Sequence, residues 1–310
     1  MKKIYKIAAF SLLGGLSFIF FFYVTFPFEI VKEFAQKNIY NETGYSIQID
    51  TMSGKFPFGI KARGIQVKGA GDKKAELKKA SVQIGILPLL FGRVSATVEL
   101  TDPKNGWLSL YLRFSLWDLL QSKNKILPTK IEVESEKFQL DEYLNLVFSN
   151  LAKSPNTDYL IKPIFEIFTI TGKLEAEVDL GINSSDFSKS EGKADIQILQ
   201  GGLQISDASL QIPNQVFKRA GIKASLKNGL LEIDKTSGLN SEDISLSIHG
   251  SVTQKPIMEQ SILALELDVE LKAKLKEQFG WVLDAAAKKE TNGRMKVGIS
   301  GTLQNPAYQL

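Results

Sequence analysis

The sequence predicts a mainly β protein: a single N-terminal transmembrane helix followed by a large antiparallel β body, curved or sandwich-like, with a few amphipathic helices. Three observations predict this fold. An uncharged apolar segment lies near the N-terminus, long runs of alternating apolar and polar residues follow it, and helical spacing of apolar residues is confined to a few stretches. Alternation with a period of two gives each strand one apolar face and one polar face.

The first element is the segment Ile7–Phe28, which contains no charged residue. Its length of about 22 positions is enough for a helix to cross a hydrocarbon core of roughly 30 Å. Lys2, Lys3 and Lys6 precede it, and this positive charge predicts a cytoplasmic N-terminus and an external body. A cleaved signal peptide is the alternative, but the apolar run is longer than usual and lacks a small-x-small cleavage site. We therefore expect residues 1–28 to form a cytoplasmic tip and a retained anchor.

The membrane-proximal half is predicted to cover residues 29–152 and to begin with a helix. Pro27 suits the start of that helix because its missing N–H is not needed in the first turn, and Gly44 is a helix terminator. Strands follow, the clearest of which has an apolar residue at every second position over Leu108–Leu116. Apolar residues at helical spacing predict a second helix over Leu140–Ala152.

The C-terminal half is predicted to cover residues 164–310. The segment Lys153–Pro163, rich in Ser, Pro, Asn and Asp, separates it from the first half. Its alternating runs include Leu263–Leu271, and helical spacing returns over Lys272–Lys289. Asn228-Gly229 separates two alternating runs and predicts a type I′ hairpin.

Composition argues against several classes of protein. The 38 basic and 34 acidic residues are nearly balanced and the lysines are scattered, so no nucleic-acid partner is predicted. Cysteine is absent, which rules out a disulfide framework and a thiolate nucleophile. His249 is the only histidine, and no phosphate-binding loop, nucleophile elbow or zinc spacing is present. We therefore predict a protein that is not an enzyme and needs no cofactor or metal.

Two groups of carboxylates occur at every second position, over Glu132–Glu136 and over Glu266–Glu270. This spacing places each group on one face of a strand, opposite the apolar residues. Such a face is typical of a solvated surface rather than of an acid–base pair or a Ca²⁺ site.

A turn soon after the membrane segment is the first candidate contact site. Phe56 and Phe58 flank Pro57, and Gly59 and Ile60 follow. Glycine and proline favour a tight bend. Two interpretations remain open: an apolar corner that packs into the sheet, or a contact with the membrane or with a protein partner.

Two apolar strand faces form the second candidate site. Each has five consecutive same-face apolar positions, over Leu108–Leu116 and over Leu263–Leu271. Three interpretations remain open: the sheet folds on itself, the two helices cover these faces, or part of this surface lines a groove for lipid acyl chains. The candidate groove residues are Leu108, Leu110, Leu112, Phe114, Leu263, Leu265, Leu267 and Val269.

The order of a membrane helix, a short helix, a strand and a G-x-F-P-x-G-I turn at Gly54–Ile60 resembles the type II secretion system protein N (general secretion pathway protein N) family. The ending Ile299–Pro306 also resembles the endings of AsmA-like periplasmic proteins, to which that family is related. The first resemblance implies a non-enzymatic component of the bacterial inner membrane, single-pass with a periplasmic body, that contacts other secretion-system subunits. The second implies a lipid-binding or lipid-transfer protein of the cell envelope. Neither assigns catalytic residues.

Overall fold

The computed structural model describes residues 10, 13–14, 17, 21, 25–69, 73–85, 87–121, 127–153, 168–205, 214–287 and 290–309. Most of the predicted anchor Ile7–Phe28 therefore lies outside the described residues. No helix within the described ranges combines the length and the apolar character needed to cross a bilayer.

The described strands form one antiparallel sheet. They are β1 (Ser46–Lys55), β2 (Gly59–Lys68), β3 (Lys74–Gly85), β4 (Arg93–Thr101), β5 (Trp107–Ser115), β6 (Lys130–Gln139), β7 (Phe168–Gly181), β8 (Glu191–Ile205), β9 (Gln215–Lys227), β10 (Leu230–Ile233), β11 (Gly238–Ser241), β12 (Ile244–Thr253), β13 (Ile262–Leu271), β14 (Arg294–Gly301) and β15 (Pro306–Gln309). Strands pair in chain order, except that β10 and β11 both lie between β9 and β12. At about 4.8 Å per strand the sheet extends for roughly 60 Å from β1 to β15. The prediction of a mainly antiparallel β protein is confirmed.

The described helices connect or flank these strands. They are α1 (Phe28–Thr43), α2 (Leu116–Gln121), α3 (Asp141–Lys153) and α4 (Ala273–Ala287), with short 3₁₀ helices at Leu87–Phe91, Phe187–Lys189 and Met258–Gln260. The positions of α1, α3 and α4 agree with prediction to within two residues. Gly44 ends α1 with φ +72° and donates its N–H to the Tyr40 carbonyl at 2.9 Å.

Helix α2 corrects the predicted strand over Leu108–Leu116. Strand β5 ends at Ser115, and Leu116 begins the helix. The Asp118 N–H donates to Ser115 Oγ at 3.4 Å, and serine is a favoured residue at this position before a helix.

The sheet continues across the predicted boundary between the two halves, because β6 pairs with β7. Residues 154–167, between α3 and β7, lie outside the described ranges. The hairpin between β9 and β10 forms as predicted, with φ +52° at Asn228 and +74° at Gly229.

Two bulges keep the apolar side chains on one face. Lys137 in β6 and Gln200 in β8, with φ of +54° and +50°, lie where one strand has an extra residue relative to its partner. The side chains beyond each bulge therefore return to the apolar face. Gly172 lies opposite the second bulge with φ +138°, and a Cβ there would lie 2.5 Å from Ile198 Cγ2. Only glycine fits this position without displacing its neighbours.

Helix α3 covers one end of the apolar face. Ala75 in β3, Phe138 in β6 and Leu146 in α3 are 0, 4 and 5% exposed. Leu146 also approaches Gly69, where a Cβ would lie 2.8 Å from Leu146 Cδ1. This end of the sheet, called the α3 end below, therefore contains the best-packed core of the N-terminal strands.

Helix α3 contacts two strands that are not neighbours in the sheet. Tyr143 stacks on Phe138 with ring centroids 5.0 Å apart and donates its hydroxyl to the Glu76 carbonyl of β3 at 2.5 Å. Asp141 accepts the Gly172 N–H of β7 at 2.6 Å. Strands β3 and β7 are four strand spacings apart, about 19 Å in a flat sheet, so α3 spans the strands between them at this end.

Asp102 fixes the backbone at the same end. Its carboxylate is fully buried and accepts the Gly106 N–H at 2.8 Å and the Gln139 N–H at 2.7 Å. These bonds join the β4–β5 turn to the end of β6. Burial, together with the nearby Asp102 charge, raises the pKa of Tyr143, so its phenol stays neutral and remains a hydrogen-bond donor.

Candidate functional site

The two candidate groove stripes lie on the same face of the sheet. Directly paired residues of neighbouring strands point to the same side. Starting from β5, one row of paired positions consists of Leu110, Val133, Val178, Ala194, Ala224, Ile233, Gly250 and Leu265. The stripes in β5 and β13 are thus the two ends of one apolar row, about 34 Å apart along the sheet.

This apolar face is only partly covered. The four candidates in β5 and three of those in β13 are half-buried, whereas Leu263 is 8% exposed. Between the two stripes, Ile196 and Ile222 are 40% and 51% exposed. Helix α3 covers only its own end, and α4 contacts only β13 and β14 appreciably. The described part of the chain therefore leaves a broad apolar surface open beside the central strands.

The opposite face of the sheet is charged. Arg294 forms two hydrogen bonds with Asp268, at 3.1 and 2.5 Å, and Lys296 contacts Glu266 at 2.5 Å. These cations hold the pKa of both carboxyl groups below their usual values. The carboxylates over Glu266–Glu270 therefore belong to a paired polar surface, in agreement with the sequence.

His249 lies on this polar face, beside an open depression of about 770 Å³. Its Nε2 is 4.0 Å from a Glu266 oxygen. The depression is lined by side chains of both charge signs, including Lys193, Asp195 and Glu232. Within the described residues no group of three or more metal-ligating side chains occurs.

The Phe56–Ile60 turn is held by its backbone and exposes an aromatic side chain. The Ile84 N–H donates to the Phe58 carbonyl at 2.8 Å, and Gln83 Nε2 donates to the Phe56 carbonyl at 3.2 Å. Gly59 fits tightly against β3, because a Cβ there would lie 2.6 Å from the Val82 carbonyl oxygen. The Phe56–Pro57 peptide bond is cis. Phe56 is 69% exposed and Phe58 37%, so neither ring is buried in the sheet.

Sequence reasoning missed further exposed apolar residues at the same end of the sheet. They belong to the β3–β4 and β5–β6 connections, and most are more than 60% exposed. We call the following set the apolar rim: Phe56, Phe58, Leu87, Leu90, Phe91, Trp117 and Leu120. The non-alternating apolar run Leu87–Phe91 was the sequence signal that could have revealed it.

The chain was compared with known proteins in three ways. Family models, curated proteins and solved structures gave no match. The resemblances carried by Gly54–Ile60 and Ile299–Pro306 therefore stay predictions.

Proposed function

We propose that this is a non-enzymatic envelope protein, anchored in the bacterial inner membrane by Ile7–Phe28, whose apolar sheet face binds lipid acyl chains. The observation that carries the proposal is the apolar row from Leu110 to Leu265, which the described residues leave partly uncovered. A soluble domain rarely leaves so large a contiguous apolar surface uncovered unless that surface binds something. The resemblance to AsmA-like proteins supports the same function.

Several features suit an acyl ligand. The apolar face presents aliphatic side chains without an ion pair among them, whereas the ion pairs of β12–β14 lie on the opposite face. Acyl chains need only apolar contact, and each methylene removed from water contributes about 0.8 kcal/mol. Helix α3 covers one end of the face, which would limit how far a chain can extend.

Lipid retention by the full-length protein tests this function. The protein is transferred from the membrane into nanodiscs, released, and analysed by native mass spectrometry for bound lipid. The double variant Leu112→Lys/Leu265→Lys places charge on the apolar face and is expected to lose the lipid. Its matched control, Ser109→Lys/Ser247→Lys, changes the polar face of β5 and β12 and should retain it. No bound lipid in the unmodified protein would contradict the proposal.

The anchor has a separate test. Intact-mass or N-terminal analysis of membrane-extracted protein should show that Ile7–Phe28 remains attached. A mature chain that starts beyond Phe28 would contradict this part of the proposal.

A second candidate function is that of a type II secretion system component which contacts other subunits through the Phe56–Ile60 turn. The exposed Phe56 ring favours it. Replacing Phe56 and Phe58 by Ser should then impair secretion and leave the thermal unfolding transition unchanged. Unchanged secretion by the folded variant would count against this function.

A further inference from the structure

We infer that the apolar rim inserts into the outer leaflet of the inner membrane, so that the apolar face opens onto the acyl region of the bilayer. This inference rests on the anchoring part of the proposed function. It assigns a surface role to three connections, of which the sequence singled out only one.

Backbone contacts join these three connections into one surface. The Phe56–Phe58 turn is bonded to the end of β3 through Ile84. The β3–β4 connection is bonded to α2, because the Leu116 N–H donates to the Gly92 carbonyl at 2.9 Å. Trp117 Nε1 also lies close to Gly92, 3.8 Å from where a Cβ would be. The rim residues are thus carried on adjacent, mutually supported loops.

The rim is exposed to an unusual degree for apolar side chains. Leu87, Leu90 and Phe91 are 75, 77 and 78% exposed, and Trp117 and Leu120 are 65% and 70%. A cluster of this size marks an interaction surface. Phe and Leu favour the acyl boundary, and Trp favours the level of the headgroups. The composition therefore fits a bilayer surface.

The direction of α1 identifies the bilayer rather than a protein as the occupant. Gly44 reverses the chain between α1 and β1, and Gln36 Nε2 donates to the Ile47 carbonyl at 2.9 Å, so α1 runs back along β1. Strand β1 ends at the Phe56 turn, and the start of α1 consequently points towards the rim end. The uncharged segment Ile7–Phe28 thus joins the body from this side. Ile30 and Phe34, in the first two turns of α1, are both 66% exposed.

The geometry also gives the apolar face an outlet. Ile84 ends the apolar positions of β3, is 49% exposed, and lies directly beside the rim. Helix α3 covers the opposite end of these strands. An acyl chain entering from the bilayer would therefore pass the rim first and move along the strands towards α3.

Site-specific labelling of the full chain tests the insertion. The protein has no cysteine, so single cysteines can be introduced at Leu90 and, as the control, at Val216. Both side chains are exposed to a similar degree, 77% and 73%, but Val216 is the second residue of β9 and lies at the α3 end. Each variant carries an environment-sensitive nitrobenzoxadiazole label and is reconstituted in phosphatidylethanolamine–phosphatidylglycerol vesicles. Phe91→Cys provides a second rim position if Leu90→Cys misfolds.

We expect the rim label to shift to the blue and to be quenched severalfold more strongly by acyl-brominated lipid than the Val216 label. Equal quenching at both positions would overturn the inference, as would shielding of the rim label only when a second protein is added. Lipid retention is measured on the same samples. Retained lipid without rim quenching would refute the insertion and leave the proposed lipid binding standing. Rim quenching without retained lipid would refute the proposed lipid binding and leave the insertion standing.

Discussion

Asp102 offers the sharpest test of how the α3 end is held together. The residue is fully buried, and its two carboxylate oxygens accept the Gly106 and Gln139 N–H groups at 2.8 and 2.7 Å. Replacement by Ala removes both acceptors and leaves two backbone donors without their partners. Replacement by Asn keeps one acceptor oxygen but turns an NH₂ group towards the other donor.

The magnitude follows from these contacts. Each hydrogen bond to a charged acceptor contributes about 1.5–3 kcal/mol, and a buried donor left unsatisfied costs a similar amount. We therefore expect Asp102→Ala to lower the free energy of unfolding by about 3–5 kcal/mol and Asp102→Asn by about half as much. The β4–β5 turn, the end of β6 and the contact of α3 with Phe138 should loosen together.

Denaturant unfolding followed by circular dichroism and by tryptophan fluorescence measures this loss. Asp179→Ala is the matched control, because that carboxylate also lies on a strand of the sheet but its side chain is 51% exposed. Hydrogen exchange at Gln139 should rise in Asp102→Ala alone. If Asp102→Ala is no less stable than Asp179→Ala, the role assigned to Asp102 is wrong.

Three further predictions concern other parts of the fold. Gly172→Ala should destabilise by about 2–5 kcal/mol, because the residue has φ +138° and its Cβ would meet Ile198, whereas Gly181→Ala should stay within about 0.5 kcal/mol in the same unfolding assay. Arg294 holds the pKa of Asp268 below its ordinary value of 3.8, so the pair stabilises the fold above that pH and this contribution is lost as the pH falls through the lowered pKa. Asp268→Asn should therefore lose less stability than the unmodified protein between about pH 7 and about pH 3. Tyr143→Phe keeps the ring stacking but loses the hydroxyl contact with β3, and should cost about 1–2 kcal/mol by thermal unfolding.

The strands and their faces were largely predictable because their side chains alternate with a period of two. The same reasoning found α1, α3 and α4 from helical spacing, and Gly44 and Asn228-Gly229 from backbone preference. It extended β5 by one residue, because Leu116 continues the alternating pattern although it begins a helix that follows Ser115. An apolar residue at Leu116 fits both a continued strand and the start of a helix, so the alternating pattern alone does not show where β5 ends.

Which side chains beyond a bulge return to the apolar face was not predictable from single strands. Bulges at Lys137 and Gln200 reverse the alternation within β6 and β8, and neither residue is one that usually signals a positive φ. The apolar rim was missed for another reason. Its residues lie some thirty positions apart in the sequence, and only the antiparallel meander brings the three connections to one end of the sheet.

Photo-crosslinking from the apolar face shows directly whether this face contacts lipid in the membrane. Benzoylphenylalanine is introduced into the full-length protein in its native membrane at Leu112 and Leu265, and at Tyr111 and Ala264 as neighbours on the polar face. We expect lipid adducts at Leu112 and Leu265 and far fewer at the two controls. Equal adduct yields on the two faces, or no lipid adduct at Leu112 and Leu265, would contradict it.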